Sequence, residues 1–271
     1  VVWPLLQSFR ISFYRWTAYS ENKKFIGFQN YGRLAKDEVF RRSLEHNLGL
    51  LAVVLICALI LGVALAHLMQ GQDRVSKFLR SIYLFPQVIS LVVVALIWEF
   101  IFDPAWGLVT SGLNGIGLGR FAKPWLSDPT SAFWCVAIAF VWYVLGFYIM
   151  LFSAGLRGIP AEVNEASELD GAVGWRRFWK VTWPMLWSIK RIAVTYVVIN
   201  VMGVFTLVYL MTQGGPDRGT EVMLTYLYEK GFTDHVYGYA TTLALANFAV
   251  AMLLSGGVMF LFRKNPEGAR K

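Results

Sequence analysis

Five stretches without a charged side chain dominate this chain: Leu48–Ala66, Ser81–Trp98, Ser131–Leu156, Ile192–Met211 and Val236–Phe262. Each reaches or approaches the ~20 apolar residues that carry an α-helix across a hydrocarbon core about 30 Å thick. Only 15% of the 271 residues are charged and 56% are hydrophobic, where a soluble domain carries about a quarter charged. The expected fold is therefore all-α, a polytopic helical membrane protein with five full spans. Val1–Phe9 is apolar but too short to cross, and is expected to be the trailing end of a first helix, which would make six.

The connecting segments are too short to form a soluble domain, so a single membrane domain over 1–271 is expected. Residues 70–80, 157–191 and 263–271 together carry 13 basic side chains, against 11 in 15–46, 103–130 and 212–238. The 70–80 loop is densely basic and 212–238 is net acidic. The positive-inside rule then puts the first set, with the C-terminus, in the cytoplasm. The same flanking bases account for the net charge of +8; no basic stripe with interleaved aromatics points to nucleic acid.

Chemistry within the chain is sparse. His46, His67 and His235 fall near different membrane faces, and no HExxH, GxSxG or clustered acid pair occurs, so an embedded enzyme is not expected. Cys57 and Cys135 lie inside spans without CxxC spacing, and no metal is expected. The phosphate loop GxxxxGK[ST] is missing, so this chain is not expected to hydrolyse ATP. An ion-gradient-coupled carrier or channel is the alternative. Such carriers place ionisable groups near the bilayer midplane and break helices at paired Gly or Pro, and the sequence shows neither. Polar residues within spans are few, and Glu99 sits near a helix end. A sugar needs hydroxyl-matching partners and aromatic faces, which Asn200, Phe205, Tyr209 and Asn247 could supply, although a lone Asn in a span also serves as interhelical glue.

The polar island 156–184 separates two spans. Pro160 suits a first helical turn, Ala161–Leu169 a short helix, Asp170-Gly171 a sharp turn and Trp175–Val181 a second helix. Glu162, Glu165 and Glu168 share one ridge and call for basic partners, either Arg176, Arg177 and Lys180 or a docked subunit. Glu165, Ala166, Ser167, Asp170, Gly171, Ala172, Phe178 and Pro184 fall in the order E-A-A, D-G-A, F, P. This pattern resembles the cytoplasmic coupling loop of bacterial ATP-binding-cassette importer permeases, with Ser167 at the second alanine.

The likeness extends along most of the chain. Phe25-Ile26-Gly27-Phe28-Gln29-Asn30-Tyr31, Leu84-Phe85-Pro86 with Phe102-Asp103-Pro104, and Thr212-Gln213-Gly214-Gly215-Pro216 with Thr220 and Tyr226-Leu227-Tyr228 resemble elements of the carbohydrate-type, maltose-transporter-like branch. The resemblance implies the type I importer transmembrane fold and a sugar-importing permease in a bacterial or archaeal cytoplasmic membrane. It implies a second permease, usually a different chain, and two ATPase subunits that bind ATP and Mg. An extracytoplasmic solute-binding protein would meet loops 103–130 and 212–238, and membrane lipid would surround the spans. Gly171→Asp is expected to impair coupling by forcing a charged side chain into the turn.

Overall fold

The computed structural model describes residues 2–19, 23–69, 71 and 74–263. In chain order it runs α1 (Val2–Ser12), β1 (Tyr14–Arg15), β2 (Lys24–Phe25), α2 (Gln29–Leu34), α3 (Glu38–Leu68), α4 (Arg74–Val88), α5 (Leu91–Ile101) and α6 (Leu108–Gly115). It continues through α7 (Pro129–Arg157), α8 (Ala161–Leu169), α9 (Gly174–Arg177), α10 (Trp183–Met185), α11 (Trp187–Met202), α12 (Thr206–Thr212), α13 (Met223–Tyr228) and α14 (Tyr237–Leu261). A single π-helical turn, Phe178–Thr182, joins α9 to α10. The only strands among the described residues are the two-residue antiparallel pair β1 and β2.

Three of the expected spans, α3, α7 and α14, are single helices long and apolar enough to cross a membrane. The other two are broken, which corrects the expectation of unbroken helices. Ser81–Val88 and Leu91–Ile101 meet at 110°, and Gly174–Met185 and Trp187–Met202 meet at 69°. Pro86 lies in the last turn before the first break, where its missing N–H leaves the helix one bond short. The expected 70–80 loop is also revised, since helix α4 already begins at Arg74. The tail 264–271 lies outside the described residues.

Ile192–Met211 is likewise not one helix. It ends at Met202, and α12 starts only after Phe205. A helix end in apolar surroundings leaves carbonyls that need partners. Asn47 Nδ2 donates to the Val201 carbonyl at 2.9 Å, and Asn247 Nδ2 to that of Met202 at 3.2 Å. Asn47 Oδ1 in turn accepts the first amide of α13, Met223 N, at 2.9 Å. Three chain segments thus close on one buried asparagine.

The chain divides into two compact units, each assembled from three segments. The first comprises Val1–Leu51, Leu91–Ala139 and Asn200–Leu253. Here the F-x-G-x-x-N-Y element clamps the end of α1. Asn30 Nδ2 donates to the carbonyls of Ser12 (2.7 Å) and Tyr14 (3.2 Å), and the Tyr31 hydroxyl lies 2.8 Å from Ser12 Oγ. Residues 103–130, expected as a loop, fold in part into α6 and a 3-10 turn at Gly119–Phe121. Asp103 Oδ1 accepts the amides of Ala105 and Trp106, both at 2.8 Å, to make the turn ahead of α6.

Asp37 organises the polar edge of this unit. Its Oδ1 caps α3 through the amides of Val39 (2.9 Å) and Phe40 (3.2 Å), while Oδ2 accepts the hydroxyls of Tyr226 and Tyr239. Burial pulls this carboxyl upward, but the hydrogen bonds from Tyr226, Tyr239, Phe40 and Val39 outweigh it and hold it below its ordinary 3.8. The stabilisation is therefore complete above that value and is lost as the pH falls through the lower folded-state pKa. Asp37→Ala is expected to cost about 1–2 kcal/mol through the lost cap and to flatten the acid limb of a melting-temperature profile. An unchanged limb would show that Asp37 does not govern it.

The second unit comprises Ala52–Ser90, Phe140–Ile199 and Leu254–Lys271. Its core is built on close approach over glycine, as membrane helices commonly are. A Cβ on Gly146 of α7 would stand 2.1 Å from the Tyr83 carbonyl oxygen of α4. Next to this contact Gln87 Nε2 donates to the Tyr143 carbonyl at 2.7 Å. Gly155 admits the side chains of Leu186 and Ile189 in the same way.

Candidate functional site

The eight residues of the E-A-A/D-G-A/F/P pattern lie together in the second unit, on a helix–turn–helix over 161–185. Helix α8 covers the expected Ala161–Leu169, with Pro160 at its N-cap. Ala172 N donates to the Ser167 carbonyl at 2.8 Å and Gly171 N to that of Glu168 at 3.0 Å. These are the 6→1 and 5→2 bonds of a Schellman ending, with Asp170 as C-cap and Gly171 next, at φ +70°. The motif has a physical reading on this geometry. Glycine supplies the left-handed residue, and the small Ser167 and Ala172 are the positions that close on each other, both buried. The Ser167 hydroxyl is satisfied by the Asn164 carbonyl at 2.7 Å.

Glu162, Glu165 and Ala166 remain on the exposed side of α8. Of the three ridge acids, Glu168 finds an internal partner, Arg177 Nη1 at 2.6 Å, which ties α8 to α9. Such an exposed pair contributes ~0–1 kcal/mol. Phe178 sits among Trp175, Trp179 and Trp183, with ring centroids 5.7, 5.3 and 6.1 Å away. Pro184 occupies the first turn of α10, just before the 69° bend. Inside that bend lies Lys190, a residue the sequence did not single out. Its Nζ donates to the Trp183 carbonyl at 2.7 Å and stands 4.2 Å over the Trp183 ring and 5.4 Å from that of Trp187.

The four expected pathway residues all belong to the first unit but play different parts. Phe205 stacks on Tyr209 at 5.1 Å and 18°. Tyr228 joins both, at 5.2 and 4.9 Å, and itself stacks on Phe232. Asn247 spends its amide on the Met202 carbonyl, as glue at a helix end. Asn200 is half-buried on α11. The sequence signal for Tyr228 was present in the Tyr226-Leu227-Tyr228 element.

The T-x-G-G-P segment of this unit is a tied loop. Thr212 and Thr220 hydroxyls meet at 2.6 Å, and Thr220 Oγ1 donates to the Gly215 carbonyl at 2.8 Å. A Cβ on Gly214 would meet the Glu221 carboxylate at 2.9 Å, so the glycine makes room for a buried acid. Arg218 grips Glu229 through both terminal nitrogens at 2.9 Å and Glu221 at 2.8 Å. Burial pushes the Glu221 carboxyl up, against the opposing pull of Thr225 and Arg218. Arg218→Met is expected to cost about 2 kcal/mol by stranding Glu221, and Arg218→Lys to restore less than half, because lysine lacks the planar fork. Thermal unfolding in detergent measures both, and full rescue by lysine would assign the effect to charge alone.

A family model described as binding-protein-dependent transport system inner membrane component matches residues 58–264. The probable ABC transporter permease protein YurN of Bacillus subtilis is 32% identical over 97% of this chain and 91% of its own length. The diacetylchitobiose uptake system permease protein NgcF of Streptomyces coelicolor is also 32% identical, over 93% of this chain and 75% of its own. Among solved structures, a chain of a bacterial ABC transporter involved in the import of the acidic polysaccharide alginate shares the fold, with a TM-score of 0.83 at 22% identity. That match covers 97% of this chain and 91% of the other.

Proposed function

Because the chain belongs to the family of binding-protein-dependent transport system inner membrane components, we infer that it is the permease subunit of an ATP-driven importer for a sugar or related carbohydrate. The solute reaches it from an extracytoplasmic binding protein. ATP and Mg are held by two copies of a separate ATPase, and a second permease, a different chain, completes the path. The 161–185 loop and the C-terminus face the cytoplasm. There Glu165, Ala166, Ser167, Asp170, Gly171, Ala172, Phe178 and Pro184 couple the ATPases to the spans. Closure of the ATPases on ATP displaces α8, and the displacement passes through the Schellman turn to α9, α10 and α11. The face of Phe205, Tyr209 and Tyr228 suits the apolar side of a sugar ring, Asn200 belongs to the same path, and Asn247 supports the helix end beside it.

The observation that carries this reading is the loop itself. Its own backbone bonds close the turn, yet the side chains of Glu165 and Ala166 are exposed on α8. Its test is retention of candidate ATPase subunits on the immobilised chain, with and without ATP. Wild type is expected to retain an ATPase, and Glu165→Ala to weaken retention about tenfold, as loss of a charge-assisted contact does. Retention of no ATPase by the folded chain would overturn the reading. Uptake that survives ATP depletion but not collapse of the ion gradient would overturn it as well.

A further inference from the structure

The segment 15–36, expected outside the membrane, defies the positive-inside rule. It holds five bases, Arg15, Lys23, Lys24, Arg33 and Lys36, and one acid, Glu21, a net charge of +4. The fold concentrates that charge. Arg15 of β1 is paired directly with Lys24 of β2, both exposed, and like charges placed opposite one another are destabilising. Among the described residues no ion pair involves Arg15, Lys23, Lys24 or Arg33. Asp37 is the acid nearest to Arg33 in sequence, but two amides and two tyrosine hydroxyls already fill its oxygens.

Two of these bases line one cavity. A pocket of about 400 Å3 in the first unit is bordered by Arg15, Trp16, Gln29, Asn30, Arg33 and Tyr239, and by no acid among the described residues. It joins segment 15–36 to Val236, near the end of 212–238. Arg33 Cζ stands 4.3 Å over the ring of the buried Tyr239, and Lys23 Nζ 3.7 Å over that of Trp16. The pocket therefore offers positive charge and N–H donors rather than an open aromatic face. A guanidinium held over a ring keeps its planar edge for a partner, and that fork takes a carboxylate through two parallel bonds. Both arginines are exposed, so they are reached without entry into the spans, as a docking protein requires and a solute in transit does not. We propose that the solute-binding protein docks an acidic side chain here, between Arg15 and Arg33, with Lys23 and Lys24 steering its approach. The inference rests on the importer reading, which supplies one soluble partner on this side, and adds 15–36 to the loops 103–130 and 212–238 expected to meet it.

The test measures association of the purified solute-binding protein with the assembled transporter in nanodiscs of neutral phosphatidylcholine. Wild type is expected to associate more slowly as salt rises from about 0.01 to about 0.15 M, where the screening length shrinks from about 30 to about 8 Å. Arg15→Gln with Arg33→Gln should slow association about tenfold at low salt and flatten that dependence. Arg41→Gln is the control and should change neither, because Arg41 is an exposed base on the same side that already pairs with Glu45 at 3.6 Å. Arg15→Lys with Arg33→Lys should keep the fast association but dissociate about tenfold faster, since lysine lacks the fork. A glutamine variant indistinguishable from the control would overturn the proposal and leave the importer reading standing. A wild-type transporter that binds no solute-binding protein would overturn both. Loss of co-purifying phosphatidylglycerol from the glutamine variant, with association unchanged, would assign the bases to a lipid headgroup instead.

Discussion

Gly171→Val is expected to leave the chain in the membrane and reduce ATP-driven uptake by about tenfold or more, the equivalent of ~1.4 kcal/mol in the coupled conformation. Gly171 has φ +70°, and a Cβ placed there meets nothing within 4 Å. The cost is thus conformational rather than steric, about 1–2 kcal/mol for an ordinary L-residue in the left-handed region and worst for a β-branched one. To relieve it the turn must open, which breaks the bonds from Ala172 N to Ser167 O and from Gly171 N to Glu168 O. The open space also revises the reason for expecting harm from Gly171→Asp. A carboxylate is not forced into a crowded turn, and Asp visits the left-handed region more readily than most residues. Uptake should therefore rank Gly, Asn, Asp, Val, measured against chain abundance in the membrane. Uptake independent of the residue at 171 would show that the shape of the turn does not matter.

Gly146→Ala should act on the fold rather than on coupling. The added methyl would stand 2.1 Å from the Tyr83 carbonyl oxygen and 3.0 Å from its carbon. Both are backbone atoms, so no side-chain rotation relieves the contact, and α4 must move away from α7. Overpacking of this kind costs typically 1–3 kcal/mol or more, and the Gln87 to Tyr143 bond goes with it. The expected result is a sharply lower unfolding temperature and reduced membrane abundance. Gly256→Ala is the control, because a Cβ there meets nothing within 4 Å inside α14. It should be neutral or stabilise slightly, as Gly to Ala does in a helix. Equal behaviour of the two variants would mean that the α4–α7 approach is not tight.

What the sequence made legible follows from the kind of signal each element carries. Charge-free runs located the long apolar helices, because exclusion of charge from hydrocarbon acts on whole segments. The same signal could not show where those helices break. Pro86 and Gly203 were visible, but proline and glycine both occur inside unbroken membrane helices. The decisive partners, Asn47 for the Val201 carbonyl and Asn247 for that of Met202, lie far away in sequence. Helix α8 and its turn were readable because a Schellman ending is local, made of backbone bonds spanning six positions. The expected second helix, Trp175–Val181, is instead α9 followed by the π-helical turn Phe178–Thr182 and α10. Lys190 and Arg218 were not readable, since neither carries a motif. Lys190 matters through two tryptophan rings and a carbonyl, and Arg218 through acids three and eleven residues away.

The bend at Met185–Trp187 has a mechanical meaning. An elbow propped on its inner side by an ammonium group wedged between Trp183 and Trp187 resists closing, so its two arms turn together as a crank. A torque applied to the short arm, 174–185, then reaches the long arm, 187–202, as rotation instead of being absorbed as flexing at the joint. The stroke ends at Val201 and Met202, whose carbonyls are pinned by two asparagines. If the loop couples as proposed, a push on α8 would enter α11 through this elbow.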